Sequence, residues 1–263
     1  MNVSDYIFQL QTLEEYSFSW DEILKVSTKS EVSLKRELSR LVEKNKILNL
    51  RKEFYLILPP RYARLGQIPI QLYANKLFKY LNKKYYLGFY SAAKFYGASH
   101  QQLQQEYVMT DYPKIGDIDR DQIKINFITS SKWPENNIVE KKSDAGIFKI
   151  SSPSLTAVNL IHYQNKIGGL NRMLAVIEEL LEEITIDDMF KLLQWYSHKS
   201  TLQRFGYLLG ELGGEKEKFS LISDHLKLNR YYPVLLVPKS NQKAAKVDNI
   251  WKVDVNTKLE NDL

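Results

Sequence analysis

Residues 28–60 read TKSEVSLKRELSRLVEKNKILNLRKEFYLILPP, and this stretch constrains the fold more than any other. Leu34, Leu38, Leu41 and Val42 fall at i, i+4, i+7 and i+8, one stripe of a 3.6-residue helix. At 100° per residue, Ser33, Arg36 and Arg40 project from the opposite side, and Ser30 is placed to cap the helix start. Asn45-Lys46 breaks the pattern. Ile47-Leu48 and Tyr55-Leu56-Ile57 then read as short strands around Asn49-Leu50-Arg51-Lys52-Glu53. A helix with a cationic outer face has the dimensions of a DNA major groove, and a basic hairpin beside it can reach flanking phosphates.

The residues before this stretch complete the outline of a winged helix-turn-helix. Residues 4–16 place Ile7, Leu10 and Leu13 on one helical face. Ser19-Trp20-Asp21-Glu22 is a capping box opening a second short helix with Ile23, Leu24 and Val26. Residues 27–29 form the turn into the recognition helix. Charge is unevenly distributed: residues 1–28 carry one Lys against five acids, whereas residues 29–64 carry ten Lys/Arg against four acids. The cations therefore belong to the recognition helix, the wing and the connector after it, as phosphate binding requires. The expected DNA-contacting residues are Arg36 and Arg40 in the groove, Ser30 and Ser33 in support, and Lys29, Lys35, Arg51 and Lys52 on phosphates. A helix-and-hairpin unit serving as a protein–protein module is the bland alternative.

At 263 residues the chain suits two domains, with net charge +6 favouring an anionic partner. The expected division is a DNA-binding domain over 1–60, a connector over 61–69 punctuated by Gly66 and Pro69, and an α+β domain over 70–263. The absence of cysteine excludes disulfides, thiolate zinc sites and cysteine nucleophiles. No apolar run approaches the ~18 residues that span a bilayer, and residues 1–16 lack the features of a secretion signal. A cytoplasmic protein without a membrane partner is expected.

Beyond the connector, Ile70, Ala74, Leu77, Phe78 and Leu81 mark the buried side of a helix whose outer side carries Lys76, Lys79 and Lys83. These lysines are either an added basic surface or an ordinary wet face. Strands are expected over 107–110, 123–127, 138–140 and 147–150, the last two joined by a turn at Ser143-Asp144-Ala145-Gly146. Ser152-Pro153 starts a helix through Tyr163. Leu170, Met173, Leu174, Ile177, Leu180, Leu181 and Ile184 form a long apolar stripe. Further helices over 187–196, 202–212 and 216–226 precede strands at 234–237 and 250–255, with a lysine-rich loop at 240–247 between those strands. The fold class is α+β, one sheet packed against several helices.

No catalytic constellation emerges. His100, His162, His198 and His225 are scattered and match no metal-binding spacing, so neither a metal nor a cofactor is expected. Gly168-Gly169 lacks the lysine of a P-loop. Asp119 with Glu140 and Lys142 imitates a nuclease D…E-x-K pattern, in which carboxylates hold a divalent metal. The pattern is short and degenerate, so a metal-dependent nuclease ranks below a non-catalytic reading.

From Tyr85 the chain reads YYLGFYSAAKFYGASHQQLQQEYVMTDYP. This run resembles the AbiEi family of antitoxins from type IV toxin–antitoxin and phage-defence systems. The resemblance continues through ISSPSLTA at 150–157, IGGL at 167–170, QRFGYLL at 203–209 and WKVDVN at 251–256. It implies an N-terminal winged helix that binds repeated sites in its own promoter and represses the operon. It also implies a second domain that counters a nucleotidyltransferase-like toxin without requiring a stable complex with it. A winged-helix regulator lacking any toxin partner is the alternative. Gly88 and Gly97 are expected to turn the chain at either end of a 91–96 helix, and Gly206 to admit a neighbouring helix. Ser99-His100-Gln101-Gln102 is a candidate exposed loop.

Overall fold

The computed structural model describes residues 1–99 and 104–259. The chain divides into two compact units. The first comprises Met1–Tyr86, Gln104–Lys132 and Glu140–Lys149; the second comprises Leu87–Leu103, Trp133–Val139 and Ile150–Leu263. The division thus falls elsewhere than 61–69, because residues 70–86 and most of a β-sheet cluster with the N-terminal helices.

The first unit opens with α1 (Val3–Thr12), β1 (Ser17–Ser19), α2 (Trp20–Val26), α3 (Glu31–Glu43), β2 (Ile47–Arg51) and β3 (Phe54–Ile57). The strands form a sheet in the order β1-β3-β2, with Phe18 opposite Tyr55 and Leu48 opposite Leu56. This is the helix and strand order of a winged helix-turn-helix. Leu34, Leu38 and Leu41 of α3 are buried with Val3, Tyr6, Ile7, Leu10 and Phe18, each leucine contributing about 1.5–3 kcal/mol relative to exposure. Leu13, expected on the buried face of α1, is 63% exposed. The helix has ended by then, and Val3 and Tyr6 complete the stripe instead. The capping box forms as its sequence requires: Ser19 Oγ accepts the Glu22 N–H and Glu22 Oε2 accepts the Ser19 N–H at 2.6 Å.

After the hairpin come a short α4 (Pro60–Ala63), a 3-10 turn over Ile70–Leu72, and α5 (Ala74–Tyr80). Buried Leu77 and Phe78 anchor α5, with Phe78 stacked on Tyr85 at 4.3 Å and meeting Phe127 edge-on. Strands β4 (Tyr85–Leu87), β5 (Glu106–Asp111), β6 (Ile118–Arg120), β7 (Ile123–Ser130), β8 (Ile138–Ser143) and β9 (Gly146–Ser151) form a mixed sheet in the order β6-β7-β5-β4-β9-β8. Strand β7 alternates as predicted, with Ile123, Ile125 and Phe127 buried. The ends of β4, β8 and β9 belong to the second unit.

The second unit is mainly helical: α6 (Phe89–Ala93), α7 (Pro153–His162), α8 (Leu170–Glu183), α9 (Ile186–Trp195), α10 (Lys199–Glu211) and α11 (Lys216–Lys227), closed by the parallel pair β10 (Val234–Leu235) and β11 (Val253–Asp254). Ser152 caps α7 by accepting the Leu155 N–H, with Pro153 at the first helical position. The apolar stripe of α8 is buried throughout. Gly97 ends the α6 region with φ +75°, where a Cβ would be strained, whereas Gly88 is extended and its turn falls to Phe89 at φ +56°. The whole is α+β, as the sequence indicated.

Candidate nucleic-acid interface

The geometry of α3 follows from its leucine stripe. With Leu34, Leu38 and Leu41 facing the core, 100° steps put Arg36 at the centre of the outward face. Val32, Ser33, Ser39, Arg40 and Glu43 lie around it, and all are exposed. The guanidinium groups of Arg36 and Arg40 have no hydrogen-bond or ion-pair partner among the described residues. Ser30 is occupied as the cap, its Oγ accepting the Ser33 N–H at 3.4 Å, which leaves the Ser33 hydroxyl outward.

The surrounding cations are more engaged than the sequence alone indicates. Lys29 Nζ lies 2.7 Å from Glu37, and the other Glu37 oxygen accepts the Val3 N–H at 3.1 Å, tying α3 to the start of α1. Lys35 sits 3.9 Å from Glu31 and 5.3 Å above the Trp20 ring, its side chain two-thirds exposed. Trp20 also donates its backbone N–H to Glu53 O at 2.8 Å, so one residue links α3 to the β2–β3 turn.

The wing is tighter than expected. Its strands reach Arg51 and Phe54, leaving Lys52-Glu53 as a two-residue turn with Glu53 at φ +60°. Arg51 Nη1 donates to Gly116 O at 3.1 Å, and Tyr80 Oη donates to Lys52 O at 3.0 Å. The Lys52 side chain stays exposed.

The outer side of α5 requires a correction. Lys76 turns inward to Glu15 at 2.7 Å and Glu22 at 2.9 Å. Lys83, its side chain only 9% exposed, donates to the Pro113 carbonyl at 2.8 Å and lies 3.9 Å from Asp111. Helical periodicity set both outward, but acceptors distant in sequence drew them in. Lys79 alone of the three remains an exposed cation.

The nuclease pattern is dismantled. Asp119 lies on β6 and Glu140 and Lys142 on β8, at opposite edges of the sheet. Five strand spacings separate them, about 24 Å. Asp119 instead lies 3.9 Å from Lys124, and Glu140 lies 3.8 Å from Lys149. Among the described residues no group of three or more metal-ligating side chains converges, and none of their helices is long and apolar enough to cross a membrane.

In the second unit the motif residues build structure. Asn137 Nδ2 donates to Asp188 Oδ1 at 2.7 Å while its Oδ1 accepts the Trp195 Nε1–H at 2.8 Å. Asp188 Oδ2 accepts the Ser154 N–H at 2.8 Å, docking the start of α7 on α9. Gln203 Nε2 donates to Trp251 O at 2.8 Å and Arg204 Nε to Leu235 O at 2.8 Å, clamping the closing strands. A Cβ on Gly206 would overlap the Trp251 ring, so an indole, and not a neighbouring helix, requires that glycine. His162 and His198, distant in sequence, have rings 4.4 Å apart. Burial, then His198, Arg204 and Lys166, push His162 down to about 4. Tyr85, Tyr86 and Tyr90 are buried; His100, Gln101 and Gln102 lie outside the described residues.

Sequence reasoning missed Val32 and Ser39 on the outward face of α3. Val32 is 61% exposed despite its apolar side chain. Its place outside the leucine stripe was the available signal.

Residues 86–211 match the family model described as AbiEi antitoxin C-terminal domain. The match ends with α10, short of the 251–256 segment to which the sequence resemblance extended. No match is found among curated proteins. Among solved structures, the crystal structure of the RV2827C protein from Mycobacterium tuberculosis matches at 14% identity with a TM-score of 0.66, covering 95% of this chain and 89% of that one. At that identity the likeness shows the fold alone. Residues 86–211 are thus similar to the C-terminal domain of the AbiEi antitoxins, a match that supports an antitoxin role.

Proposed function

We propose that this protein is an antitoxin that represses its own operon through its winged helix and neutralises a nucleotidyltransferase-like toxin, acting in the cytoplasm in phage defence. One observation carries the DNA-binding half: α3 presents Arg36 and Arg40, unpaired among the described residues, on the face opposite a buried leucine stripe. Such guanidinium groups suit guanine edges in the major groove, and Val32 offers an apolar contact for a thymine methyl. Lys35 and Lys52, both exposed, are the better phosphate ligands. Lys29 must exchange Glu37 for a phosphate, and Arg51 is held by a carbonyl. Lys79 extends the basic surface; Lys76 and Lys83 do not.

The antitoxin half is supported by the family match and needs no catalytic group or cofactor of its own. The two activities are separated in the full-length chain, because a cut at residue 69 would pass through the first compact unit. With both genes under inducible promoters, the Arg36→Ala/Arg40→Ala variant is expected to lose repression of a promoter reporter yet still rescue growth from the neighbouring toxin. Rescue that falls in step with repression, at equal protein level, would refute the separation.

A further inference from the structure

An open depression of about 470 Å³ in the second unit is lined by residues that include Arg204, Leu235, Pro238, Lys239, Gln242 and Lys243. Its volume is within the range of small-molecule sites. The wall is cationic at both ends. Lys239 and Lys243 stand on the 238–245 segment, which Asn165 holds by donating to Pro238 O at 3.2 Å and Asp254 holds by accepting the Ala245 N–H at 2.8 Å. Arg204 forms the inner end and is only 9% exposed.

Buried guanidinium groups are ordinarily neutralised by carboxylates. Arg204 is not. Its Nε donates to the Leu235 carbonyl, and among the described residues no carboxylate pairs with it. Burial pushes its pKa down, opposed only by Tyr196, with no acidic residue contributing. Lys166 and Arg204 both act on His162 as positive charges, and the nearby Asp254 carboxylate is engaged by the Ala245 N–H. A desolvated, unneutralised fork with two lysines beside the same depression suits an anion of matching geometry.

We infer that this depression binds a small phosphoryl anion, such as pyrophosphate or the phosphate tail of a free nucleotide, with Arg204 gripping it from within and Lys239 and Lys243 closing over it. Three cations suit two linked phosphoryl groups better than a monoanion. The site is built from the second unit, whereas α3 belongs to the first, and its occupancy would tie the closing strands, through the Gln203-Arg204 clamp, to a soluble metabolite.

Titration calorimetry of sodium pyrophosphate into the full-length protein, at constant ionic strength, tests this. The expected result is saturable one-to-one binding, weakened about tenfold or more in Lys239→Gln/Lys243→Gln and unchanged in Arg36→Ala/Arg40→Ala. Arg204→Gln should abolish it. Should that variant fail to fold, the two exposed lysines still decide the matter, because substituting them leaves the clamp intact. A flat isotherm for the wild-type protein, or equal affinity in the lysine variant, overturns the assignment. If the lysine variant instead loses affinity for duplex DNA while pyrophosphate does not bind, the cations serve nucleic-acid phosphates and the small-ligand site is wrong.

Discussion

Lys76 Nζ lies 2.9 Å from Glu22 Oε1, while the other oxygen of that carboxylate accepts the Ser19 N–H at the start of α2. One side chain therefore both caps α2 and anchors α5. Burial alone would raise the Glu22 carboxyl, but the Ser19 N–H and Lys76 together hold it below its usual value. Lys76→Ala leaves Glu15 and Glu22 half-buried without their cation and is expected to lower stability by about 1–3 kcal/mol. The shift in the urea midpoint measures it; a change under about 0.3 kcal/mol would mean that α5 is anchored by Phe78 alone.

Much of this first unit was legible in the sequence because its signals are local. The Leu34-Leu38-Leu41 stripe, the Ser19–Glu22 box and the Ser30 cap each lie within a few turns of one another, and all formed. What was not legible depended on partners remote in sequence. Strand β1 is three residues long and exists because Phe18 pairs with Tyr55. Lys76 and Lys83 left the basic surface for acceptors tens of residues away. The region similar to the antitoxin family model was recognisable from its motifs, but the roles of those motifs were not. Gln203, Arg204 and Gly206 serve the closing strands and Trp251, a relation that periodicity cannot express.

Gly206 supplies a second test. Alanine there drives its methyl group into the Trp251 indole, and an indole seated in a buried site yields poorly. Gly206→Ala should cost about 1–3 kcal/mol as overpacking, outweighing the small gain in helix propensity on α10. Indole fluorescence during denaturation would report it. An unchanged midpoint would show that Trp251 is free to move.

The Asn137 amide joins Asp188, Trp195 and Ser152–Ser154 in one polar network. Asn137→Ala removes the amide donor to Asp188 Oδ1, leaving that carboxylate the Ser154 N–H, and takes from the Trp195 indole its Asn137 acceptor, for an expected loss of about 2–4 kcal/mol. Asp188→Asn should be milder, since an amide can still accept from Ser154. Thermal melts of the two variants give the ranking, and the reverse order would contradict the network as described.

Stability should also fall on mild acidification. His162 titrates near 4 in the fold against an ordinary value of 6.5, because burial and its cationic neighbours oppose the imidazolium. Between those values the unfolded chain binds a proton that the folded chain does not. The stability present above about pH 6.5 is therefore lost progressively as pH falls towards about 4. Allowing for its partial exposure, the loss is about 1–2 kcal/mol. Denaturant midpoints at a series of pH values should slope downward over that window in wild type and flatten in His162→Gln. Parallel curves would assign the slope to other groups.

Arg36 and Arg40 are proposed to read the promoter. The ratio of affinities for the chain's own promoter fragment and a scrambled duplex of equal length, measured at several salt concentrations, decides this. Wild type should prefer the promoter, with an affinity for both duplexes that falls steeply as salt rises. Arg36→Ala/Arg40→Ala should bring the ratio close to one, since each lost base contact costs about 1–3 kcal/mol of discrimination. Lys35→Ala/Lys52→Ala should weaken both duplexes alike and reduce the salt slope by about two. An arginine variant that keeps the wild-type ratio, or a wild-type protein without salt-sensitive affinity for either duplex, would contradict the assignment of α3 as the recognition element.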